Sequence, residues 1–195
     1  AREDRRRAPF RGRMTTQAFT LFDTAIGRCA IAWGEAGVIG VKLPERSDAS
    51  MRARVSRQHP EARESSPPPT IEAAIPDICR LMDGEKQDLS AIALDLSNVP
   101  EFEQRVYAET RSIPPGETLT YGDIATRLGD VGLSRAVGQA LGRNPFPIVV
   151  PCHRVLAAGG KSGGFSAPGG VETKRRMLEI EGARDLHPTL PWDSR

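Results

Sequence analysis

Asn144-Pro145-Phe146-Pro147-Ile148-Val149-Val150-Pro151-Cys152-His153-Arg154-Val155 is the stretch around which the chain is organised. Residues 148–150 are apolar and β-branched, which favours buried extended backbone, and each flanking proline removes a ladder donor. The pattern predicts a segment that runs extended and irregular through the interior and delivers one cysteine to a site. Cys152 has a histidine beside it and an arginine next again, neighbours that lower a thiol pKa. Adjacent side chains on extended backbone point to opposite faces, so His153 is expected to act on Cys152 through a water or a bend. The plainer alternative is a buried structural cysteine. Prolines, basic neighbours and Asn144-Pro145 favour a reactive thiol.

At 195 residues the chain can hold one large domain or two small ones. Hydrophobic residues at 38% and charged residues at 27% are those of an ordinary globular protein. No apolar run approaches the ~20 residues that span a bilayer. No signal-like core is present either, so a cytoplasmic protein without membrane contact is expected. Three cysteines without CxxC spacing argue against a disulfide framework. The three histidines, His59, His153 and His187, are scattered, so no metal site is expected. A net charge of +2 neither demands nor excludes nucleic acid.

Residues 1–14 are arginine-rich and poor in apolar side chains, and predict a disordered basic arm. Residues 15–97 read as a small α/β domain with a structural role. Three short apolar runs, 19–23, 27–33 and 37–43, form an antiparallel meander, with Cys29, Ile31 and Trp33 facing a core. Helices are expected over 47–58, capped by Ser47 or Asp48, and from Thr70 or its neighbour to near Gly84, disturbed by Pro76. Cys79 reads as packing, and 92–96 as a last strand. From Asn98 the character becomes helical, with a helix over 102–113 halted by Pro114-Pro115-Gly116. Thr120 then caps a helix in a capping-box arrangement with Asp123, ending at Leu128-Gly129, and Ser134 caps a second. The pair predicts a helix-turn-helix.

Thr120-Tyr121-Gly122, Ser134-Arg135-Ala136-Val137-Gly138, Asn144-Pro145, Pro151-Cys152-His153-Arg154-Val155 and Leu178-Glu179-Ile180-Glu181-Gly182 occur in the order found in the O6-alkylguanine-DNA alkyltransferases. Residues 98–184 therefore resemble the alkyltransferase, DNA-binding domain of that family, with 185–195 as a tail. The resemblance implies a ribonuclease H-like N-terminal sheet-and-helix domain. It also implies direct reversal of damage: one alkyl group passes from O6-alkylguanine, flipped out of double-stranded DNA, to Cys152, irreversibly and once. By motif position Arg135 takes the vacated place in the stack from the minor groove, with Tyr121, Ser134, Ala136, Gly138 and Leu141 in the DNA-binding surface. Cys152 is the nucleophile, His153 takes its proton through a water, and Glu181 orients His153. Asn144 braces the turn, and Tyr121 donates to the leaving guanine. Val155, Ser166 and Phe165 belong to the base pocket. The carbonyls of Cys152 and Val155 read the guanine amino group, and the Ser166 amide reads O6. No cofactor, no metal and a monomer are implied.

The glycine-rich run 159–170 predicts a mobile loop over the pocket. It lacks GxxxxGK[ST], so a phosphate loop is rejected. Phe165 stands where many relatives carry tyrosine, and 167–170 makes a slightly longer link, which leaves the pocket wall and adduct size open. Three rivals stay open beside the alkyltransferase: a damage-binding module without transfer, a thiol-sensing regulator, and a Cys-His hydrolase.

Overall fold

The structure, a computed structural model, describes residues 16–160, 164–166 and 168–183. The expected arm at 1–14, the tail at 185–195 and part of the glycine-rich run lie outside the described residues.

Strands β1 (Ala18–Thr24), β2 (Gly27–Gly34) and β3 (Gly37–Lys42) form the expected meander. A two-residue strand, β4 (Arg63–Glu64), lies parallel to β1, giving the order β3-β2-β1-β4. Both hairpins turn on a glycine held at positive φ, Gly27 at 121° and Gly37 at 134°, where a side chain would be strained. Cys29, Ile31 and Trp33 face the main core, as the alternation predicts. The opposite face is also covered. Ala30 and Ala32 lie with Phe19 under Met51 and Val55 of α1 (Asp48–Gln58), whose close approach small side chains permit. Ser47 caps α1, accepting from the Ser50 amide at 3.2 Å. On the main-core face, α2 (Pro69–Met82) buries Ile71, Ala74, Ile78, Leu81 and Met82. It starts at Pro69, the neighbour of Thr70, because proline suits the first helical position, where no N–H is needed.

The strand expected over 92–96 does not form. Only an isolated bridge joins Leu94 to Val38. One guanidinium nitrogen of Arg111 binds the carbonyls of Leu89, Ser90 and Ile92 at 2.9–3.0 Å, so these acceptors are taken by a side chain rather than a ladder.

Helix α3 (Glu101–Arg111) leads to a two-residue strand, β5 (Leu119–Thr120), and then α4 (Tyr121–Arg127). The capping box is present: the Thr120 amide donates to Asp123 at 2.7 Å and the Asp123 amide to Thr120 Oγ1 at 3.0 Å. Ser134 is not a cap. A 3-10 turn over Val131–Leu133, capped by Asp130, runs directly into α5 (Ser134–Gly142). Ser134 is already helical, with φ −51° and ψ −40°, and its hydroxyl donates back to the Val131 carbonyl at 2.6 Å. The last helix is α6 (Gly170–Ile180).

One hydrophobic core runs through both halves, from Val38, Val41 and Leu43 to Tyr107, Val137, Phe146, 148–150 and Met177. The Val41 amide donates to the Pro145 carbonyl at 2.9 Å, so β3 buttresses the start of the cysteine-bearing segment. Among the described residues no helix is long and apolar enough to cross a membrane.

Candidate active site

The segment that carries Cys152 is irregular, but it is folded back rather than extended. Ile148 has φ 75°, an unusual position for a β-branched residue that costs about 1–3 kcal/mol. Burial of 148–150 and two hydrogen bonds from one side chain hold it there. Asn144 Oδ1 accepts from the Phe146 amide at 2.9 Å, and Nδ2 donates to the Val150 carbonyl at 2.9 Å. The Val150 amide returns to the Phe146 carbonyl at 2.8 Å. Fixed φ at each proline and this internal bonding leave no ladder to join, which is why extended pairing fails. Cys152 then opens a 3-10 turn, Cys152–Arg154, followed by β6 (Val155–Leu156).

Inside the turn His153 is fully buried and Cys152 half-buried. His153 Nε2 lies 2.9 Å from Glu181 Oε1, at the C-cap of α6. Arg154 grips the same carboxylate with Nε and Nη2, both at 2.8 Å, and donates Nη1 to the Ile113 carbonyl at 2.5 Å. Burial resists ionising Glu181, but His153 and Arg154 outweigh it and hold the carboxyl down at about 2. Burial pushes the His153 pKa down against the pull of Glu181, and the nearby Arg154 and Lys174 charges push it the same way. A neutral His153 facing a carboxylate must carry its proton on Nε2. Its Nδ1 is then a bare lone pair, buried and without a partner among the described residues.

Burial raises the Cys152 pKa, opposed by a hydrogen bond from Asn144, the Lys174 charge and the amides of Cys152 and His153. Cys29 has far less relief and is pushed up to about 12 by burial; burial also raises Cys79, whose thiol donates to the Asp23 carbonyl at 3.3 Å. Of the three thiols, Cys152 alone has cationic and amide donors arranged to stabilise a thiolate.

A cavity of about 570 Å³ opens over Cys152, lined by Tyr121, Ser134, Arg135, Gly138, Leu141, Phe165 and Ser166, all singled out in the sequence. Parallel pairing explains the convergence. Leu119 and Thr120 of β5 lie against Val155 and Leu156 of β6, so the start of α4 and the exit of the cysteine turn are one structure. Tyr121 packs beside Gly138, where an added Cβ would meet its ring at 3.8 Å. Arg135 is exposed and has no ion-pair partner among the described residues. Ser166 is tied to the end of α5, its hydroxyl donating to the Gly142 carbonyl at 2.8 Å. Ala136 and Val155 do not line the cavity; Val155 is buried in β6. Asn144, His153 and Glu181 stand behind or beside it.

Three residues were not anticipated. Arg154 clamps Glu181, although it sits in the motif itself. Gln139 lines the cavity one helical turn after Arg135, the spacing that could have found it. Lys174 is almost fully buried; its Nζ donates to the Val155 carbonyl at 2.6 Å and lies 6.0 Å from the Tyr121 ring centroid. The carbonyl expected to read the guanine amino group thus already holds one partner and has one lone pair left. A lysine at i and a glutamate at i+7 on the face that buries Met177 and Leu178 is the signal that marks both. Among the described residues no group of three His, Cys, Asp or Glu could hold a metal.

A family model described as the DNA-binding domain of 6-O-methylguanine DNA methyltransferase matches residues 101–183. A methylated-DNA–protein-cysteine methyltransferase of Methanothermobacter thermautotrophicus is 39% identical over 152 residues, 78% of each chain. One of Mycobacterium tuberculosis is 48% identical over 93 residues, 48% of this chain and 54% of that one. Among solved structures, Mycobacterium tuberculosis OGT in complex with DNA has TM-score 0.70 and 34% identity, covering 86% of this chain and 94% of that one. The O6-methylguanine-DNA methyltransferase of Pyrococcus kodakaraensis has TM-score 0.65 and 28% identity, with 85% and 99% covered.

Proposed function

This chain belongs to the methylated-DNA–protein-cysteine methyltransferases, and on that premise we propose that it repairs O6-alkylguanine in double-stranded DNA by moving the alkyl group to Cys152. The observation that carries this reading is the buried contact of His153 Nε2 with Glu181, which assigns the His153 tautomer. With Nε2–H engaged by Glu181, the Nδ1 lone pair is free to take the Cys152 proton, directly or through one water. The thiolate attacks the alkyl carbon in line with O6; a C–S bond forms as the C–O6 bond breaks. Tyr121 donates its hydroxyl to the departing guanine, and the Ser166 amide receives O6. A thioether offers no leaving group, so each molecule acts once.

The target atom is inaccessible within a duplex, and the base must be extruded. Helices α4 and α5 act as a helix-turn-helix, with α5 in the minor groove. Small residues Ala136 and Gly138 let it approach closely, Ser134 and Leu141 flank it, and exposed Arg135 fills the gap in the stack. Asn144 holds the cysteine turn, while Val155 and Phe165 wall the base pocket. The N-terminal sheet, of ribonuclease H-like shape, supports the turn through the Val41–Pro145 hydrogen bond. The protein acts as a monomer in the cytoplasm.

The test is incubation with duplex carrying isotopically labelled O6-methylguanine, followed by peptide mass mapping. One label per chain on Cys152 is expected, and Cys152→Ser should bind the duplex but acquire none. Label on Cys29 or Cys79, or repeated turnover, would overturn the assignment.

A further inference from the structure

A second recess, about 430 Å³, shares Leu141, Gly142, Cys152, Phe165 and Ser166 with the base cavity and runs from the cysteine towards the N-terminal sheet. Pro145 and Pro147 give it an apolar lining. Lys42, Arg54 and Arg143 add basic lining, His59 is kept neutral by burial and the Lys42 charge, which lower it to about 4, and no carboxylate is among the lining residues. Two of the three charges are already met. Arg54 is ion-paired with Glu45, and Arg143 donates to Glu103 at 2.9 Å.

Lys42 is different. It is only 5% exposed and has no hydrogen-bond or ion-pair partner among the described residues. Nearby, the Nε2 atom of His59 is fully buried and unpartnered, while Lys42 Nζ keeps some open surface. Both atoms surround the open side of Gly40, where an added Cβ would lie 2.8 Å from His59 Nε2 and 3.0 Å from Lys42 Nζ. Burial and the Arg54 charge lower Lys42 to about 8, which still leaves the ammonium mostly charged at neutral pH. A buried ammonium without a counter-charge is costly, and such groups are ordinarily paired. Lys42 lines the recess that begins at the reactive thiol, and a partner that enters there reaches it.

We propose that this recess is a specificity site for O6-alkylguanines whose alkyl chain ends in a carboxylate: the chain lies along Pro145 and Pro147 while Lys42, with His59 beside it, receives the acid. The inference rests on the reading that Cys152 accepts the alkyl group. The transfer step is unchanged: the C–S bond forms, the C–O6 bond breaks, and the carboxylate stays on the alkyl chain paired with Lys42, with no proton exchanged. Lys42 positions the substrate and takes no part in the reaction of a methyl adduct.

Single-turnover transfer is to be measured on duplexes carrying O6-methylguanine, carboxymethyl and 4-carboxybutyl adducts, and the primary amide of each acid. For at least one acid, the full-length protein should favour it over its amide by about tenfold or more, the scale of one charge-assisted hydrogen bond. Lys42→Met should bring that ratio to about one, leave methyl transfer unchanged and not lower the melting temperature, since it removes an unpaired buried charge. Equal rates for both acids and their amides would overturn the proposal, as would a preference that survives in Lys42→Met. Absence of methyl transfer to Cys152 in the unsubstituted protein would instead sink the underlying reading, and this inference with it.

Discussion

Replacing Glu181 by glutamine separates the two tasks of its carboxylate. Arg154 supplies two N–H groups at 2.8 Å and His153 one at 2.9 Å, so three donors converge on one side chain. Glutamine has nearly the same shape but a single acceptor oxygen. Arg154 cannot give up its protons, so the oxygen turns towards it and the amide NH2 faces His153 Nε2. His153 must then accept at Nε2 and carry its proton on Nδ1, which removes the base from the cysteine side. The variant also strands a buried guanidinium, a loss of about 3–5 kcal/mol. An independent route gives a similar figure. A carboxyl lowered from 4.5 to about 2, at about 1.4 kcal/mol per pH unit, contributes about 3 kcal/mol at neutral pH. Because the folded value lies below the unfolded one, that contribution is present above pH 4.5 and lost as pH falls towards 2.

Urea unfolding and single-turnover transfer, both at pH 7, measure the two effects apart. Stability should fall by the amount above. Among molecules that remain folded, transfer should slow by about 10²–10⁴, the usual share of a positioned base. Nitrogen chemical shifts of His153 should report the proton on Nδ1 instead of Nε2. A folded variant that transfers at the normal rate would refute the tautomer argument and reduce Glu181 to an anchor for Arg154.

Arg135→Ala should slow repair of duplex far more than transfer from the free modified base, because only the duplex requires a filled stack; equal losses would assign Arg135 to folding or chemistry. Lys174→Met should move the Cys152 thiol titration upward, since the Lys174 charge opposes the burial that raises it; iodoacetamide reactivity against pH reads this directly, and an unmoved curve would make Lys174 only a strut for the Val155 carbonyl. Asn144→Ala removes both side-chain bonds that hold Ile148 at positive φ, so melting should drop by the equivalent of about 1–3 kcal/mol and transfer should slow; loss of neither would place the constraint elsewhere. Phe165→Ala should slow transfer more than it weakens DNA binding, as judged by rate and gel-shift measurements side by side.

The strands and helices were legible where local pattern and burial agree. Alternation over 27–33 placed Cys29, Ile31 and Trp33 on one face because a strand has period two. Thr120 and Asp123 announced α4 because a capping box satisfies its own donors. Failures came where a distant group decides. Nothing within 92–96 reveals that Arg111 will take the carbonyls of Leu89, Ser90 and Ile92, leaving one bridge where a strand was expected. Nor does Ser134 show that Asp130 has already capped the turn before it.

The reactive segment joins both lessons. β-Branched side chains between prolines signal burial without a ladder, yet they do not give the backbone direction, since Asn144 bends it by bonds to residues two and six positions on. That bend decides the chemistry. On an extended strand His153 would point away from Cys152; in a 3-10 turn it is buried, and Glu181 at the end of α6, gripped by the neighbouring Arg154, sets its tautomer. A sequence motif can therefore name the nucleophile, because the thiol is a local property. The proton's position is not local: it depends on the Glu181 carboxylate, 28 residues away, that only the packed α6 brings into contact. The apolar stripe of α6 carried that information all along, in two charged residues placed where Met177 and Leu178 require burial.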